Sequence, residues 1–250
     1  MTQKKKTEQK TKMLRVRKKE RTRQAILTAA EKFFSEKSYD EVILEEIADA
    51  AFVSRTTLYN YFKNKDAIFF GLGIEKFEEL TNRYGERYSD KASGIEQVFD
   101  LCDIDFNSAL HNPCMHTIIR EFYKRIQYRK ISLEKIDTKI AQLREKGLRM
   151  KTPLQEVLRK NFEEPYLIEF YIALQRHTLL WTNAIKKGKS DGTITNNLNA
   201  DQIVEFIYML LMGIEEEMML RSSTLSRIGL ENTITTKYVM MLVRAFLVAQ

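Results

Sequence analysis

Apolar residues recur at helical spacing almost from end to end of this chain. Ala25, Ile26, Ala29, Ala30, Phe33 and Phe34 fall at i, i+3 and i+4, which predicts one amphipathic helix. Ser38, Tyr39 and Asp40 interrupt it. Residues 42–51 predict a second, short helix that buries Ile43, Ile47 and Ala50 or Ala51. Ser54 is a good N-cap for a third, running from Arg55 to about Phe62. After "KNKD" a long helix is expected over about 66–87. Further amphipathic segments cover 94–111, 114–128, 131–150 and 165–187, with Pro113, Pro153 and Pro165 near their starts, where proline is tolerated. "KKGKSDGTI" reads as a loop. Two strongly apolar helices follow, over 201–220 and 233–248.

Three short helices in about forty residues, the last two joined by a tight turn, form a helix-turn-helix layout. Leu58 and Phe62 lie four apart on the third helix and share its core face. Arg55, Thr56, Tyr59 and Asn60 are left on other faces. A major groove admits such a helix, and base edges need donors and acceptors of this kind.

Composition supports an all-α chain. There are 9 Gly and 3 Pro in 250 residues, too few for a turn-rich β-sandwich or a glycine-punctuated α/β enzyme. The length allows a sizeable core. Of the net charge of +7, residues 1–25 carry +9, which leaves the remainder at about −2. A basic segment on a near-neutral body is the asymmetry of a polyanion binder, and equally of a solubilising tail. Residues 1–20 are low in complexity and are expected to be a flexible arm. Cys102 and Cys114 give no disulfide framework. No apolar run reaches the roughly 18–20 residues of a membrane span, and the N-terminus lacks the apolar core of a secretory signal. The simplest location is cytoplasmic, with no membrane partner.

"ILTAAEKFFSEKSYDEVILEEIADAAFVSRTTLYNYFKNKDAIF" resembles the N-terminal DNA-binding domain of the TetR family of transcriptional regulators. The signal lies in "IADAA-x-VS" followed by "TLYNYFKNK", within residues 22–70. Two positions depart from the family pattern. Ser38 and Phe52 stand where glycine is usual, so both turns are expected to shift and Phe52 to pack where the family has nothing. The resemblance implies a basic arm over 1–20, a DNA-binding domain over 21–66 and a helical regulatory and dimerisation domain over 67–250. It implies base or groove contacts from Arg55, Thr56 and Asn60. It implies phosphate contacts from Thr57, Tyr59, Tyr61 and Lys65, joined by Arg21 and Arg23 at the start of the first helix and more loosely by Lys4, Lys5 and Lys6. It further implies a homodimer on a palindromic, double-stranded operator, with a small-molecule effector held in the C-terminal part, and the many Met and Phe there lean toward an apolar one. Repression is the family tendency.

In the family the last two helices of each subunit pair, so Ile203, Phe206, Ile207, Leu210, Leu211 and Ile214 are the expected dimer interface. By periodicity alone the same residues are an ordinary core helix. Candidate effector-pocket residues are Phe99, Phe106, Met115, Phe122, Phe170, His177 and Trp181, each equally readable as core. Residues 129–164 look like an insertion without an assigned role.

Catalysis and metal binding find little support. No glycine-rich phosphate loop, nucleophile elbow or Glu-x-x-His repeat is present, and no cofactor is implied. His111, Cys114 and His116 do not match a zinc spacing and lack a fourth ligand, so a helix boundary with a partly buried Cys114 is the better account and no metal is expected. Glu215, Glu216 and Glu217 are expected on a solvated face. The competing functions are a DNA-binding architectural or division-control protein of the same fold without an effector, and an all-α enzyme with a basic tail. Duplex DNA binding separates the enzyme from the other two.

Overall fold

The computed structural model describes residues 3–150, 154–228 and 232–249; side chains are described for most of these, and those of residues 4–6 lie outside the described set. Among the described residues every regular element is a helix. The chain divides into two compact units, residues 1–72 and 73–250.

The first unit holds α1 (Gln3–Glu36), α2 (Leu44–Ala50), α3 (Arg55–Tyr61) and the start of α4 (Lys65–Arg87). Instead of an irregular arm before the first helix, α1 runs continuously back to Gln3. The reason is local. Its first twenty residues are mostly Lys, Arg, Gln and Glu, which are good helix formers, and the chain has no Gly or Pro before Gly71. The core gathers Ile26, Leu27, Ala30 and Phe34 from α1, Ile47 and Ala48 from α2, Leu58 and Phe62 around α3, and Ile68, Phe69 and Phe70 from α4. The Phe69 ring meets Phe34 at 4.7 Å and Tyr39 at 4.9 Å, both edge to face. Leu58 and Phe62 do anchor the third helix, at 1% and 5% exposure. Ile43, expected in this core, is half exposed, because it is the extended residue that precedes α2 and its side chain points off the helical stripe.

The turn between α2 and α3 closes on Phe52. Its φ is +55°, and the Val53 amide donates to the Ala48 carbonyl at 3.0 Å, the six-to-one bond of a Schellman end. Glycine normally occupies this left-handed position, where a side chain costs about 1–2 kcal/mol. The ring finds no packing in return: Phe52 is 96% exposed, against the expectation that it packs. A left-handed C′ residue directs its Cβ away from the helix it terminates. Phe52→Gly should therefore raise the unfolding free energy by up to about 1 kcal/mol, once glycine's greater unfolded-state entropy is deducted. Urea denaturation checks this, and a destabilised variant would show that the ring has a partner. Ser38, the other departure, avoids positive φ; its amide and hydroxyl both donate to Glu41 Oε2, at 2.9 and 2.7 Å.

The second unit contains the rest of α4, then α5 (Gly94–His111), α6 (Pro113–Tyr128), α7 (Leu133–Met150), α8 (Leu154–Asn161), α9 (Pro165–Ser190), α10 (Ala200–Leu220), α11 (Ser222–Arg227) and α12 (Asn232–Leu247). The helix α9 continues through most of the expected loop, with Gly188 helical and buried where Ile194 packs against it, and the turn falls at Asp191 and Gly192. Pro153, expected near a helix start, lies outside the described residues. The centre of the unit is the pair α5 and α9, with α10 and α12 against them. Capping boxes at Ser93/Glu96 and Asn199/Gln202 fix the starts of α5 and α10. The described part of residues 129–164 forms α7 and α8 with their outer flanks and is tied to α9, where Tyr171 Oη donates to Asp137 Oδ2 at 3.0 Å.

Candidate nucleic-acid interface and internal cavity

The short helix α3 begins at Ser54, whose Oγ accepts from the Thr57 amide at 3.1 Å. The cap fixes the helix direction, and the burial of Leu58 fixes its rotation. What remains outside is Arg55, Thr56, Tyr59 and Asn60, all exposed, with Thr57 and Tyr61 half-buried. Arg55 pairs with Glu45 of α2, but its side chain is 67% exposed. An exposed pair of this kind is worth about 1 kcal/mol or less, so the guanidinium can exchange partners at small expense. Thr57 Oγ1 is hydrogen-bonded to Ser54 Oγ at 2.9 Å.

Lys65, expected at a phosphate, is engaged within its own domain. Its ammonium donates to the carbonyls of Tyr39 at 2.8 Å, Val42 at 3.0 Å and Asp40 at 3.3 Å, and sits 4.5 Å from the Tyr39 ring centroid. An ammonium has three donors, and all three are directed into the turn between α1 and α2. Arg21 is exposed, whereas Arg23 is half-buried, 3.7 Å from Glu20 and 5.7 Å from the Phe62 ring.

In the second unit a cavity of about 90 Å³ lies among α4, α5, α6, α9 and α10. Its wall is mostly apolar, with Phe77 and Leu80, Met115 and Ile119, and Leu174 and Leu211. Of the expected pocket residues, Met115 and His177 line it. Phe106, Phe122, Phe170 and Trp181 are fully buried beside it as core, and Phe99 lies under Arg244 instead. The pattern missed the polar members: Asp105, His116, Tyr208 and Glu215. Their signal was a polar residue on an apolar stripe. Asp105 falls four residues after Leu101 and three before Ser108, on the buried face of α5.

Two carboxylate–imidazole pairs result. Asp105 Oδ2 accepts from His177 Nε2 at 2.7 Å and from Trp181 Nε1 at 3.1 Å. Glu215 Oε2 lies 3.3 Å from His116 Nε2. Burial pushes the Glu215 carboxyl above its usual range, against the pull of His116. Glu215 was expected on a solvated face with Glu216 and Glu217, but one residue per 100° of helix turns only those two outward. His111 and His116 do not converge: His111 Nδ1 lies 2.6 Å from the Asn107 carbonyl, and Cys114 is fully buried rather than partly so.

The expected dimer residues divide. Ile203, Ile207 and Leu211 face the unit's own core, while Leu210 and Ile214 are half-buried. Only Phe206 is exposed, stacked on Phe246 at 4.1 Å. The outward apolar face is made instead by Phe206 and Met209 of α10 with Tyr238, Met241 and Leu242 of α12. No helix among the described residues is long and apolar enough to cross a membrane.

Residues 26–72 match the family described as bacterial regulatory proteins, tetR family. The match lies within the first unit, and the described residues of the second, larger unit are also all-α. A fatty acid metabolism regulator protein of Bacillus subtilis (strain 168) is 33% identical over 92 residues, 34% of this chain and 47% of that protein. The match therefore spans about half the length of that relative. Among solved structures, the fatty acid degradation regulator FadR of Bacillus halodurans superimposes with a TM-score of 0.61 at 17% identity, covering 88% of this chain and 97% of that one. FadR of Bacillus subtilis in complex with stearoyl-CoA also gives 0.61 at 17%, over 89% and 98%. The ketosteroid regulator KstR2 of Mycobacterium tuberculosis gives 0.60 at 16%, over 91% and 95%. At these identities the likeness is one of fold.

Proposed function

We propose that the chain is a tetR-type transcriptional regulator, which binds a palindromic operator as a homodimer and is released by a small molecule held in the second unit. The observation that carries this is α3 itself. Ser54 caps it, Leu58 anchors it, and Arg55, Thr56, Tyr59 and Asn60 are presented outward together. Arg and Asn have the donor and acceptor geometry to read guanine and adenine, while Thr57, Tyr59 and Tyr61 suit phosphate oxygens. Arg21, Arg23 and the basic start of α1 supply sequence-independent attraction.

The exposed apolar face of α10 and α12 supports pairing of two copies, since contiguous exposed apolar surface on one unit calls for a partner. Two recognition helices would then enter successive major grooves about 34–36 Å apart. An effector can act only through its different affinity for binding-competent and incompetent geometries. The cavity borders α4, which starts at Lys65 immediately after α3, so the helix whose residues Phe77 and Leu80 line the site is the one that follows the recognition helix in sequence. The reading assigns the chain no catalytic role.

The test is a gel shift with the promoter of the chain's own gene. Tyr59→Ala combined with Asn60→Ala should weaken binding by tenfold or more, at about 1–3 kcal/mol per lost contact. Helical content should not change, because both side chains are exposed. Wild-type protein that ignores duplex DNA at low salt would refute the reading.

A further inference from the structure

We infer that the cavity is built for a small apolar molecule carrying a protonated amine, and that it disfavours carboxylates of the same size. The inference rests on the proposed effector role of the second unit, and extends it to the chemistry of the ligand.

Some polar atoms of the wall are already engaged and others are not. Asp105 Oδ2 accepts two donors, from His177 and Trp181. Asp105 Oδ1 is buried and has no donor from the protein. His177 is 1% exposed, lines the cavity, and its Nδ1 has no protein partner either. A carboxylate only accepts, so His177 Nε2 must carry the proton shared with Asp105; in the neutral ring Nδ1 is then an acceptor. Asp105 Oδ1 and His177 Nδ1 are thus buried and unmatched on two residues of the wall, as are His116 Nε2 and the Tyr208 hydroxyl, which can turn a lone pair or its proton toward a ligand. A buried acceptor without a donor is costly, and a ligand that brings N–H groups recovers that loss.

Charge selects further. No Lys or Arg is among the described residues of the wall, and both imidazoles already face carboxylates. An incoming carboxylate would meet Asp105 and Glu215 with no free cation to offset them. An ammonium offers three donors and an opposite charge, and its hydrogen bond to Asp105 Oδ1 is of the strong, charge-assisted type. The remaining wall is aliphatic and aromatic, with Phe77 stacked on the His177 ring at 5.3 Å. At about 90 Å³ the space is smaller than a cavity of roughly 150 Å³ that admits benzene, so the ligand is small or only its head enters.

The probes are n-propylamine and n-butylamine, set against propionate, butyrate and stearoyl-CoA. Trp181 is the only tryptophan and donates to Asp105, so its fluorescence reports on the site directly. The amines should change Trp181 emission saturably and raise the melting temperature at neutral pH, and the carboxylates should do neither. Asp105→Asn should weaken amine binding about tenfold or more, while its ligand-free melting temperature shows whether the fold is retained. His177→Gln, which keeps a donor toward Asp105, gives a second variant should Asp105→Asn fail to fold, and it should weaken the amine too. Tighter binding of a carboxylate or of stearoyl-CoA overturns the inference, as does silence toward both amines or an Asp105→Asn variant that binds them unchanged. The ligand-free gel shift tests the regulatory reading on its own, so the two failures are distinguishable.

Discussion

Gly94→Ala should prevent the second unit from folding to its native state, or cost it about 3 kcal/mol or more. Gly94 opens α5 where that helix crosses α9, and a Cβ there would lie 1.9 Å from Gly188 N, 2.2 Å from Gly188 Cα and 2.7 Å from the Ala184 carbonyl oxygen. All three are backbone atoms, so no rotamer change relieves the clash. The helices must separate, and α5 against α9 is the centre of the unit. Overpacking typically costs about 1–3 kcal/mol when side chains can adjust; here they cannot. A domain's whole stability is only about 5–15 kcal/mol. The amide of Gly94 also donates to Asp191 Oδ2 at 2.8 Å, so separation would loosen the turn after α9 as well. Gly85→Ala is the matched comparison. A Cβ at Gly85 would meet nothing within 4 Å, so this change should stabilise by roughly 0.5–1 kcal/mol through helix propensity alone. Urea unfolding of both variants decides the matter. A Gly94→Ala protein within about 0.5 kcal/mol of wild type would show that the crossing has slack.

Lys65→Ala should lower the stability of the first unit by about 1.5–3 kcal/mol, and any loss of DNA binding should follow from that. Three carbonyls of one turn, those of Tyr39, Asp40 and Val42, share its ammonium. Hydrogen bonds to a charged group each contribute about 1.5–3 kcal/mol, and half-exposure discounts their sum. The same turn is held by Tyr39 Oη donating to Asp66 Oδ1 at 2.5 Å. Without Lys65 the junction of α1 and α2 loosens, and α3 rests on α2. Denaturation monitored by circular dichroism, with gel shifts at several salt concentrations, separates structure from contact. A variant of unchanged stability whose salt dependence drops by about one unit would return Lys65 to the phosphate role and sink this account.

Much of the candidate nucleic-acid interface was legible along the chain, because it depends on short-range physics. Ser54 as a cap, Leu58 and Phe62 as anchors and the outward polar set follow from one helical period over eight residues. The cavity was not legible, since its polar residues come from several helices, and Asp105, His116 and Glu215 each look like an isolated exception to an apolar stripe. Glu215 shows the limit well: three consecutive acids read as a solvated face until the rotation of α10 is known. The same rotation turned Ile203, Ile207 and Leu211 inward and left Met209 outside.

By itself, then, the sequence determined that this protein is helical, where its principal helices run, and that a basic N-terminal stretch leads into a capped helix-turn-helix. Those outcomes rest on periodicity, capping and propensity, which act within a few residues. The tertiary structure alone decided that Lys65 serves a turn, that Phe52 stands in solvent at a left-handed position, and that two acid–imidazole pairs share one cavity. Such outcomes depend on which helix faces meet, and a helix with apolar residues on more than one side can meet its neighbours in more than one way.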